Sequence, residues 1–471
     1  MAGGNTKLQS DRNFEIKKIL YWDNVDKPEQ DAVEISELLI EINLHFSLES
    51  GFATGTIALA DAGNFMETHF KGTGVISMDI YHFGHYIGES DTTRLMKYYI
   101  TGISSRRQVK EYGNVIVFDL VTDGFFRNQL MRICKRYTGN VGDHIKSVLE
   151  ESWDKKHPKG LQLGSTRGSD YTLTKTKLVT VNNPENEYNF ISCNWKPLKV
   201  INFLSDRAVF SNKGDKMVDG FFVERRDDYL FDSFSKRHGE DKNVKFIFQR
   251  SVADRSTAFV PTSDKFAYYT MLDFQFISDM DLVRAFDDGL LSSKTHRFNI
   301  MRKKWHQDEI QYSDNFISQY GSKMFKGWDG IDPLQNPITD YNLSRIFSTG
   351  YTEVFDDPKT ERKPFDYISR RAMFLGSINQ IKISFAIPGF SHAEVGEPVG
   401  VIIPTQGVTQ KNASLEETKT YVDATYSGKY FVTAINYRFN RNNAVTTFEC
   451  VKPELNESIE QFLSMIGAEN K

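Results

Sequence analysis

Alternation of apolar and polar residues is the main signal along this chain, and it predicts a protein built mostly from β-strands. In the clearest stretch, alternate positions are apolar: Ile40, Ile42, Leu44, Phe46 and Leu48. The positions between them are mostly polar: Glu41, Asn43, His45, Ser47 and Glu49. Such alternation is typical of a strand with one buried face. Further strand-like segments begin at Gly55, Val75, Leu95 and Asn114. Five strands within about ninety residues predict a barrel or a sandwich.

Helical spacing replaces alternation in the middle of the chain. It predicts helices in FFRNQLMRICKRY from Phe125 and in DHIKSVLEESW from Asp143, with Asp143 as the N-cap. A third helix is predicted in NWKPLKVINFLSDRAVF, where Pro197 suits the first turn. The hairpin GFFVERRDDYLFDSF follows, from Gly220 to Phe234. A helix packed on such a hairpin predicts a small α/β unit.

Strands return at NVKFIFQRS and YYTMLDFQFI, and a short helix is predicted in DMDLVRAFDDG. The stretch 290–363 is irregular and aromatic, and resembles an insertion. A helix in FDYISRRAMFLGSINQ then leads into IKISFAIPG, GEPVGVIIP and the hairpin YSGKYFVTAINYRFNRNNAVTTFECVKP. An amphipathic helix is predicted at the end of the chain. The sequence shows no internal repeat, but one strand-rich region lies near each end.

Composition narrows the class of protein. The 471 residues are 39% hydrophobic and 25% charged, as expected of a soluble globular protein, and 36 Phe and 21 Tyr favour sheets. A net charge of −4 argues against a dominant surface for nucleic acid or anionic membrane. Three widely spaced cysteines predict neither a disulfide framework nor a zinc site, and indicate a reducing compartment. There is no apolar run for a secretory signal or a membrane span.

The candidate chemistry along the chain is weak. His82 and His85 form an HxxH pair, but residues three apart in a strand point to opposite faces. DGID at 329–332 lacks the longer ligand series of a calcium loop. Ser233 and Lys236 form SxxK without the partner motifs of a Ser–Lys nucleophile. We therefore predict no catalytic, cofactor-binding or metal-binding residue, and no enzyme.

Two segments are basic, SRRQVK from Ser105 and MRKKWHQ from Met301. The second carries Trp305 beside Arg302, Lys303 and Lys304 and is a candidate for phosphate binding. Because the chain is slightly acidic overall, we interpret both as solvated or interface strands. Single-stranded nucleic-acid binding would also need aromatic platforms in a cationic groove.

The order of segments resembles the central baseplate hub protein of contractile-tailed, T-even-like phages, which is related to the hub part of type VI secretion spikes. The resemblance covers most of the chain. It rests on SGFATGTIALADAGNFMETHFKGTGVISMDIYHFG, YYITGISSRRQVKEYGNVIVFDLVTDGFF, NWKPLKVINFLSDRAVFSNKGDKMVDGFFVERRDDYLFDSF, and FAIPGFSHAEVGEPVGVIIP followed by YSGKYFVTAINYRF. The stretch 290–363 matches least.

The resemblance implies an α+β, mainly β fold, with two tail-tube-like β-barrel domains, an α/β unit and an inserted domain. Applied to this chain, it predicts a loose N-terminus (1–12), a first barrel (13–122), an α/β domain (123–245) and an inserted domain (291–375). The second barrel would be discontinuous, from 246–290 and 376–452, and a C-terminal helix would span 453–471.

The implied function is structural. Three chains would form a ring of six similar domains around a lumen for DNA, with the hexameric tail tube on one side and the trimeric central spike on the other. Neighbouring baseplate wedge proteins would be further partners, and neither specific nucleic-acid binding nor membrane insertion is expected. We expect the protein in the baseplate of the virion tail, assembled in the host cytoplasm. The strands around Ile40–Leu48 and Tyr430–Phe439 are candidates for the ring sheet.

Two alternatives stay open at this point. One is a cell-wall-degrading glycosidase on a β-rich scaffold, which would need a carboxylate pair in a cleft. The other is a carbohydrate-binding, fibre-attachment module, which would act as a monomer with affinity for glycans.

Overall fold

The computed structural model describes most of the regular elements of the chain. The described residues are 14–23, 32–61, 65–82, 92–109, 113–151, 159–163, 177–212, 215–240, 244–248, 267–279, 292–299, 303–311, 343–348, 366–378, 381–391, 393–403, 423, 426–440 and 443–452. Their largest feature is one sheet of 14 strands. The prediction of a mainly β protein with smaller helical parts is confirmed.

The first group of strands in this sheet comes from the N-terminal quarter of the chain. Its members are β1 (Phe14–Trp22), β2 (Val33–Glu34), β3 (Leu39–Ser47), β4 (Thr54–Asp61), β5 (Gly74–His82), β6 (Thr92–Val109) and β7 (Gly113–Val121). They pair in the order β3-β4-β7-β6-β5-β1-β2, and a 3-10 turn at Ser36–Leu38 leads from β2 directly into β3. The path of strands therefore returns to its start. A short helix, α1 (Phe65–Thr68), lies between β4 and β5.

The second group is drawn from two distant segments. Its members are β15 (Val244–Phe248), β16 (Ala267–Met271), β17 (Asp273–Asp279), β21 (Ile381–Pro388), β22 (Pro398–Ile402), β23 (Gly428–Phe439) and β24 (Ala444–Lys452). They pair in the order β17-β21-β24-β23-β22-β15-β16. Only Leu272 separates β16 from β17, so this path also returns to its start. The backbone N–H of Leu272 donates to the carbonyl of Ala386 at 2.7 Å and ties the corner to β21.

The two groups have the same pairing scheme. If β1 to β7 are matched in chain order with β15, β16, β17, β21, β22, β23 and β24, each pairing in one group has its counterpart in the other. One strand differs in direction: β15 runs parallel to both of its neighbours, whereas β1 is antiparallel to both. The fold thus contains an internal repeat that is not visible in the sequence.

The repeats are joined edge to edge. The second half of β23 pairs with β3 in antiparallel fashion, from Ala434 opposite Ser47 to Phe439 opposite Ile42. This pairing creates an uninterrupted antiparallel row of eight strands, β17-β21-β24-β23-β3-β4-β7-β6, hereafter the eight-strand row. One apolar core cluster extends under both repeats, from Ile42 and Phe118 to Phe385 and Phe448.

A separate α/β unit lies between the repeats along the chain. Its elements are α2 (Asp123–Leu130), β8 (Ile133–Tyr137), α3 (Val141–Glu150), β9 (Leu178–Val181), β10 (Phe190–Trp195), α4 (Pro197–Ser205), β11 (Phe210–Asn212), β12 (Asp215–Met217), β13 (Gly220–Glu224), β14 (Asp228–Ser233) and α5 (Phe234–His238). A second core holds it together, in which Ile145, Val148 and Leu149 of α3 meet Val200 and Leu204 of α4.

The remaining described elements belong to the stretch interpreted as an insertion. Part of it is regular: β18 (Ser292–Asn299), β19 (Lys304–Gln311) and β20 (Leu343–Ser348) form a three-stranded sheet in the order β19-β18-β20. Helix α6 (Asp366–Ile378) follows and packs against this sheet. Among the described helices, none is long and apolar enough to cross a membrane.

Several local predictions need correction. The helix from Phe125 ends at Leu130, because its second half becomes strand β8, paired with β10. Helix α3 is capped by Asn140, whose Oδ1 accepts the N–H of Gly142 at 2.7 Å, and not by Asp143. In β3, an irregularity between Leu39 and Glu41 shifts the register, so Leu39 is buried and Ile40 is half-buried. Asp279, the first residue of the predicted helix at 279–289, ends β17, and the rest of that helix lies outside the described residues, as does the predicted helix at 453–471.

Candidate assembly interface

The junction between β23 and β3 unites the repeats, and its two faces differ. On the core side, Tyr437 lies opposite Leu44 and Ile435 opposite Phe46. The rings of Phe46 and Tyr437 meet edge to face with centroids 5.8 Å apart. Directly opposed residues of antiparallel strands share a face, so these pairs bury apolar area that either strand alone would expose.

The outer side of the same junction is polar. Asn43 lies opposite Arg438, and His45 lies opposite Asn436. The guanidinium of Arg438 donates twice to Glu41 Oε2, at 2.7 and 2.9 Å. Asn43 also donates to Glu41, at 2.8 Å. The ion pair links strands that are almost 400 positions apart in sequence (|i−j| = 397).

Polar and small side chains continue across the outer side of the eight-strand row. We call this surface the polar face; its polar and small members are Glu41, Asn43, His45, Thr54, Thr56, Ala58, Asp119, Lys382, Ser384, Ala434, Asn436, Arg438, Thr447 and Glu449. Three half-buried valines, Val115, Val117 and Val445, lie among them. Positive and negative groups alternate on it, as in the pair Lys382–Glu449 at 2.9 Å. The face therefore presents hydrogen-bonding groups without a large field of one sign.

The hairpin β13–β14 of the α/β unit contacts both repeats. Glu224 at the end of β13 is 1% exposed and accepts hydrogen bonds from residues of the first repeat. Its carboxylate accepts from the N–H of Ala53 at 3.0 Å, from Thr122 Oγ1 at 2.6 Å and from Lys177 Nζ at 2.7 Å. A buried carboxylate with three donors is fully paired, so the hairpin is fixed to the ends of β4 and β7.

The same hairpin packs on the second repeat through aromatic rings and ion pairs. Phe431 of β23 lies 4.2 Å from Phe234 and 5.6 Å from Phe221, measured between ring centroids. At the turn, Arg226 pairs with Glu394 at 2.8 Å. The side chain of Arg226 is 7% exposed, so desolvation acts against its charge, but Tyr437 and Glu394 nevertheless hold its pKa above the ordinary value. The hairpin thus bridges the two repeats where they join.

The eight-strand row ends at β6 on one side and at β17 on the other. Residues Thr92–Ile100 of β6 pair with β5, whereas Thr101–Val109 pair only with β7 among the described strands. Strand β17 pairs with β21 on one edge, and no described strand pairs with its other edge. Apolar side chains are exposed at both ends, namely Ile103 on β6 and Phe276 and Ile277 on β17.

The motifs singled out in the sequence are placed as follows. Ser233 is buried and is the N-cap of α5: its Oγ accepts the N–H of Lys236 at 3.3 Å and donates to Asp219 at 2.9 Å. The SxxK spacing is therefore that of a helix cap. His82 ends β5, whereas His85 and the DGID segment lie outside the described residues. No group of three potential metal ligands occurs among the residues that the structure describes.

The basic segments differ in position. SRRQVK belongs to the outer part of β6, at the end of the eight-strand row. In the other segment, Trp305 lies on β19 and is exposed, with its ring 5.5 Å from His296. Sequence reasoning missed Glu224 and the edge of β17. Glu224 follows a run of buried residues, and no sequence pattern distinguishes it from other carboxylates. The exposed edge of β17 depends on the order of strands in the sheet, which the sequence does not show.

These features define a β-sheet protein with an internal repeat and two sheet ends that no described strand covers. No protein-family model and no curated protein sequence matches the chain. Among solved structures, it is similar to the 43 kDa tail protein of prophage MuSo2 from Shewanella oneidensis, at 9% identity and a TM-score of 0.48, covering 93% of this chain and 99% of that one. A tail protein from Neisseria meningitidis is similar at 7% identity and a TM-score of 0.45, covering 94% and 97%.

A third similar structure is an Escherichia coli component of the type VI secretion system, itself described as similar to the T4 tail proteins gp27 and gp5. Its identity is 9% and its TM-score 0.38, covering 95% of this chain and 80% of that one. Because all three TM-scores are below 0.5, the function proposed below rests on the sheet and its ends.

Proposed function

We propose that this protein is the structural baseplate hub of a contractile phage tail. It acts as a homotrimer with pseudo-sixfold symmetry, joins the hexameric tail tube to the trimeric central spike, and leaves a lumen for DNA. The observation that carries the proposal is the internal repeat: two strand groups with one pairing scheme, joined edge to edge through β23 and β3.

The repeat accounts for the change of symmetry. One chain holds two similar units, so three chains arranged about an axis present six similar units to a hexameric neighbour and three identical chains to a trimeric one. Each chain adds the eight-strand row, and eight strands from each of three copies give 24 strands in a closed sheet. Closure is favourable because open sheet ends otherwise expose unpaired backbone groups and aggregate. The domain boundaries predicted from the sequence are part of this proposal.

The polar face suits the lumen of such a ring. DNA affinity comes mainly from phosphate contacts to Lys and Arg, and these would hold a moving duplex. On the polar face the cations are paired with carboxylates, as in Arg438–Glu41 and Lys382–Glu449. The role is non-enzymatic, the protein would reside in the virion tail after assembly in the host cytoplasm, and wedge proteins would surround it.

The test is the mass and shape of the purified protein. Mass photometry is expected to find a species of three times 54.1 kDa, and electron microscopy a ring with a central hole and six similar lobes. The contacts between copies should bury at least ~2,000 Å², as in obligate assemblies. A protein that stays monomeric at every concentration, and that binds or hydrolyses glycans in that state, would overturn the proposal.

A further inference from the structure

We propose that neighbouring copies join head to tail, with the outer part of β6 of one copy pairing in antiparallel fashion with β17 of the next. This inference rests on the proposed ring and specifies its contact. The partner is a second copy of this chain, and the new junction repeats the β23–β3 junction that already exists within the chain.

The internal repeat identifies the two edges. In the matched pairing schemes, β6 corresponds to β23 and β17 corresponds to β3. Strand β23 uses its first residues to pair with β22 and its last residues, Ala434–Phe439, to pair with β3. Strand β6 is divided in the same way: its first residues pair with β5, and Thr101–Val109 continue beyond β5. Directions alternate along the eight-strand row, so β6 and β17 of the next copy would also be antiparallel.

Exposed apolar side chains mark the same edges. Ile103 lies opposite the buried Phe118 and Phe276 lies opposite the buried Ile383, so both face the core side of the sheet. They are nevertheless 42% and 37% exposed. Their counterparts at the internal junction, Ile435 and Leu44, are 1% and 0% exposed. Pairing of β6 with β17 would cover Ile103 and Phe276 as β23 and β3 cover each other.

The ion pair at the internal junction also has a counterpart at the two ends of the eight-strand row. At the internal junction, Arg438 near the end of β23 pairs with Glu41 near the start of β3, on the polar face. At the ends of the row, Arg107 near the end of β6 lies opposite Val115, and Asp273 at the start of β17 lies opposite Ala386. Both are exposed. Arg107 and Asp273 of the next copy would therefore form the pair equivalent to Arg438–Glu41, which explains the basic segment in β6.

The first test measures self-association of two variants, Ile103→Asp and Phe276→Asp. Burying a carboxylate against an apolar strand is unfavourable, so each variant is expected to weaken trimer formation about tenfold or more. The matched control is Ile191→Asp, since Ile191 is also a strand residue, 39% exposed, but lies on β10 of the α/β unit. Circular dichroism and thermal unfolding check that each variant chain is folded.

The second test is directional cross-linking. In a background with Cys134→Ser and Cys193→Ser, which removes the exposed thiols, one sample carries Ile103→Cys and another carries Phe276→Cys. A short bismaleimide is expected to give covalent dimers when the two samples are mixed and exchanged. Each sample alone should give none, because a head-to-tail contact never brings two identical positions together.

The third test is a charge exchange. Arg107→Glu and Asp273→Arg are each expected to weaken association severalfold, and the double variant to restore it. Trimers that form normally in both aspartate variants, without cross-links in the mixed sample, would overturn this junction and leave the ring proposal in place. A wild-type chain that forms no trimer would overturn both.

Discussion

At the scale of single residues, charged side chains in this protein connect elements that are distant in sequence. Glu41 and Arg438 join the two repeats, and Glu224 joins the α/β unit to the first repeat. Their environments differ: Arg438 is largely exposed, whereas Glu224 is buried. Because water screens the first pair and not the second, their contributions to stability should differ severalfold.

The exposed pair predicts a small effect that depends on pH. Burial raises the pKa of the Glu41 carboxyl, but hydrogen bonds from Arg438 and Asn43 together hold that pKa below its ordinary value. A lowered pKa in the folded state stabilises the fold above the ordinary pKa of the carboxyl, and this contribution is lost as the pH falls through the folded-state value. Replacing Arg438 with Gln should raise the pKa of Glu41, measured by carboxyl ¹³C NMR, and cost no more than about 1 kcal/mol at neutral pH. Lys146→Gln is the control, because Lys146 forms an exposed ion pair with Glu150 at 3.9 Å. This substitution should leave the pKa of Glu41 unchanged.

His238 predicts a larger effect. It stacks on Phe234 in α5, and burial, reinforced by Lys429 and Lys452, lowers its pKa to about 3. Because the folded-state pKa lies below that of the unfolded chain, the folded protein loses stability as the pH falls from about 6.5, by up to about 1.4 kcal/mol per pH unit. Denaturant titrations between pH 6.5 and 4.5 should show this slope, and His238→Gln should reduce it.

Burial also lowers the pKa of His144, so His144→Gln is the matched comparison. Because two histidines contribute in this range, a residual slope is expected in either single variant. An unchanged slope in His238→Gln would contradict the assignment.

At the scale of elements, the β13–β14 hairpin determines how the α/β unit meets the sheet. Glu224 fixes one end of the hairpin by hydrogen bonds, and Arg226 fixes its turn by an ion pair with Glu394. Phe431 packs against the ring of Phe234, which follows the hairpin. The hairpin therefore spans the line where the repeats join, and it should stabilise the angle between them. The residues it contacts as described above, Ala53, Thr122, Glu394 and Phe431, are not members of the polar face.

Removal of Glu224 tests this role. Glu224→Ala would leave the N–H of Ala53, the hydroxyl of Thr122 and the ammonium of Lys177 without their shared acceptor, at a cost of about 3–5 kcal/mol. Denaturant unfolding should show this loss, and hydrogen exchange should increase at the ends of β4 and β7. Glu150→Ala, at a half-exposed helix position, is the control and should change stability by less than about 0.5 kcal/mol. Equal losses in the two variants would contradict the bridging role.

At the scale of the whole molecule, an internal repeat and two open sheet ends suit a subunit that closes into a ring with copies of itself. The same arrangement accounts for ion pairs between residues distant in sequence, such as Arg438 and Glu41. The outer side of the eight-strand row has paired charges and mostly polar or small side chains, with Val115, Val117 and Val445 among them. This composition predicts weak affinity for duplex DNA.

A double variant, Thr56→Lys with Asn436→Lys, tests the polar face directly. Thr56 on β4 and Asn436 on β23 lie on that face on either side of β3, so the trimer would gain six cations lining one surface. Duplex DNA is expected to bind this variant at low salt. The logarithm of the association constant should fall linearly with the logarithm of the salt concentration, with a slope of about −0.9 for each phosphate contacted. Fluorescence anisotropy measures it. Leu178→Lys with Ile191→Lys adds the same charge to exposed positions of the α/β unit, and equal binding by that control would contradict the lumen assignment.

Most of the local elements were predictable from the residues within them. Alternation predicted β3, β4, β5 and β7, and turn residues predicted the β23–β24 hairpin, because side-chain direction in a strand depends only on position along it. Helix α4 was predicted from Pro197 and the apolar stripe of Val200, Ile201 and Leu204, all of which are buried. Predictions were wrong where two local signals overlap, as at 131–137, where helical spacing and strand propensity compete.

Only the tertiary structure decided which strands are neighbours. The pairing of β23 with β3 joins residues almost 400 positions apart, and no local pattern carries that information (|i−j| = 397). The internal repeat was hidden for the same reason: the two groups share a pairing scheme and not a sequence. The exposed edges of β6 and β17, and the burial of Glu224 between units, are likewise consequences of strand order and packing. Partner choice in a sheet depends on contacts between distant segments, whereas strand formation depends on the residues within each segment.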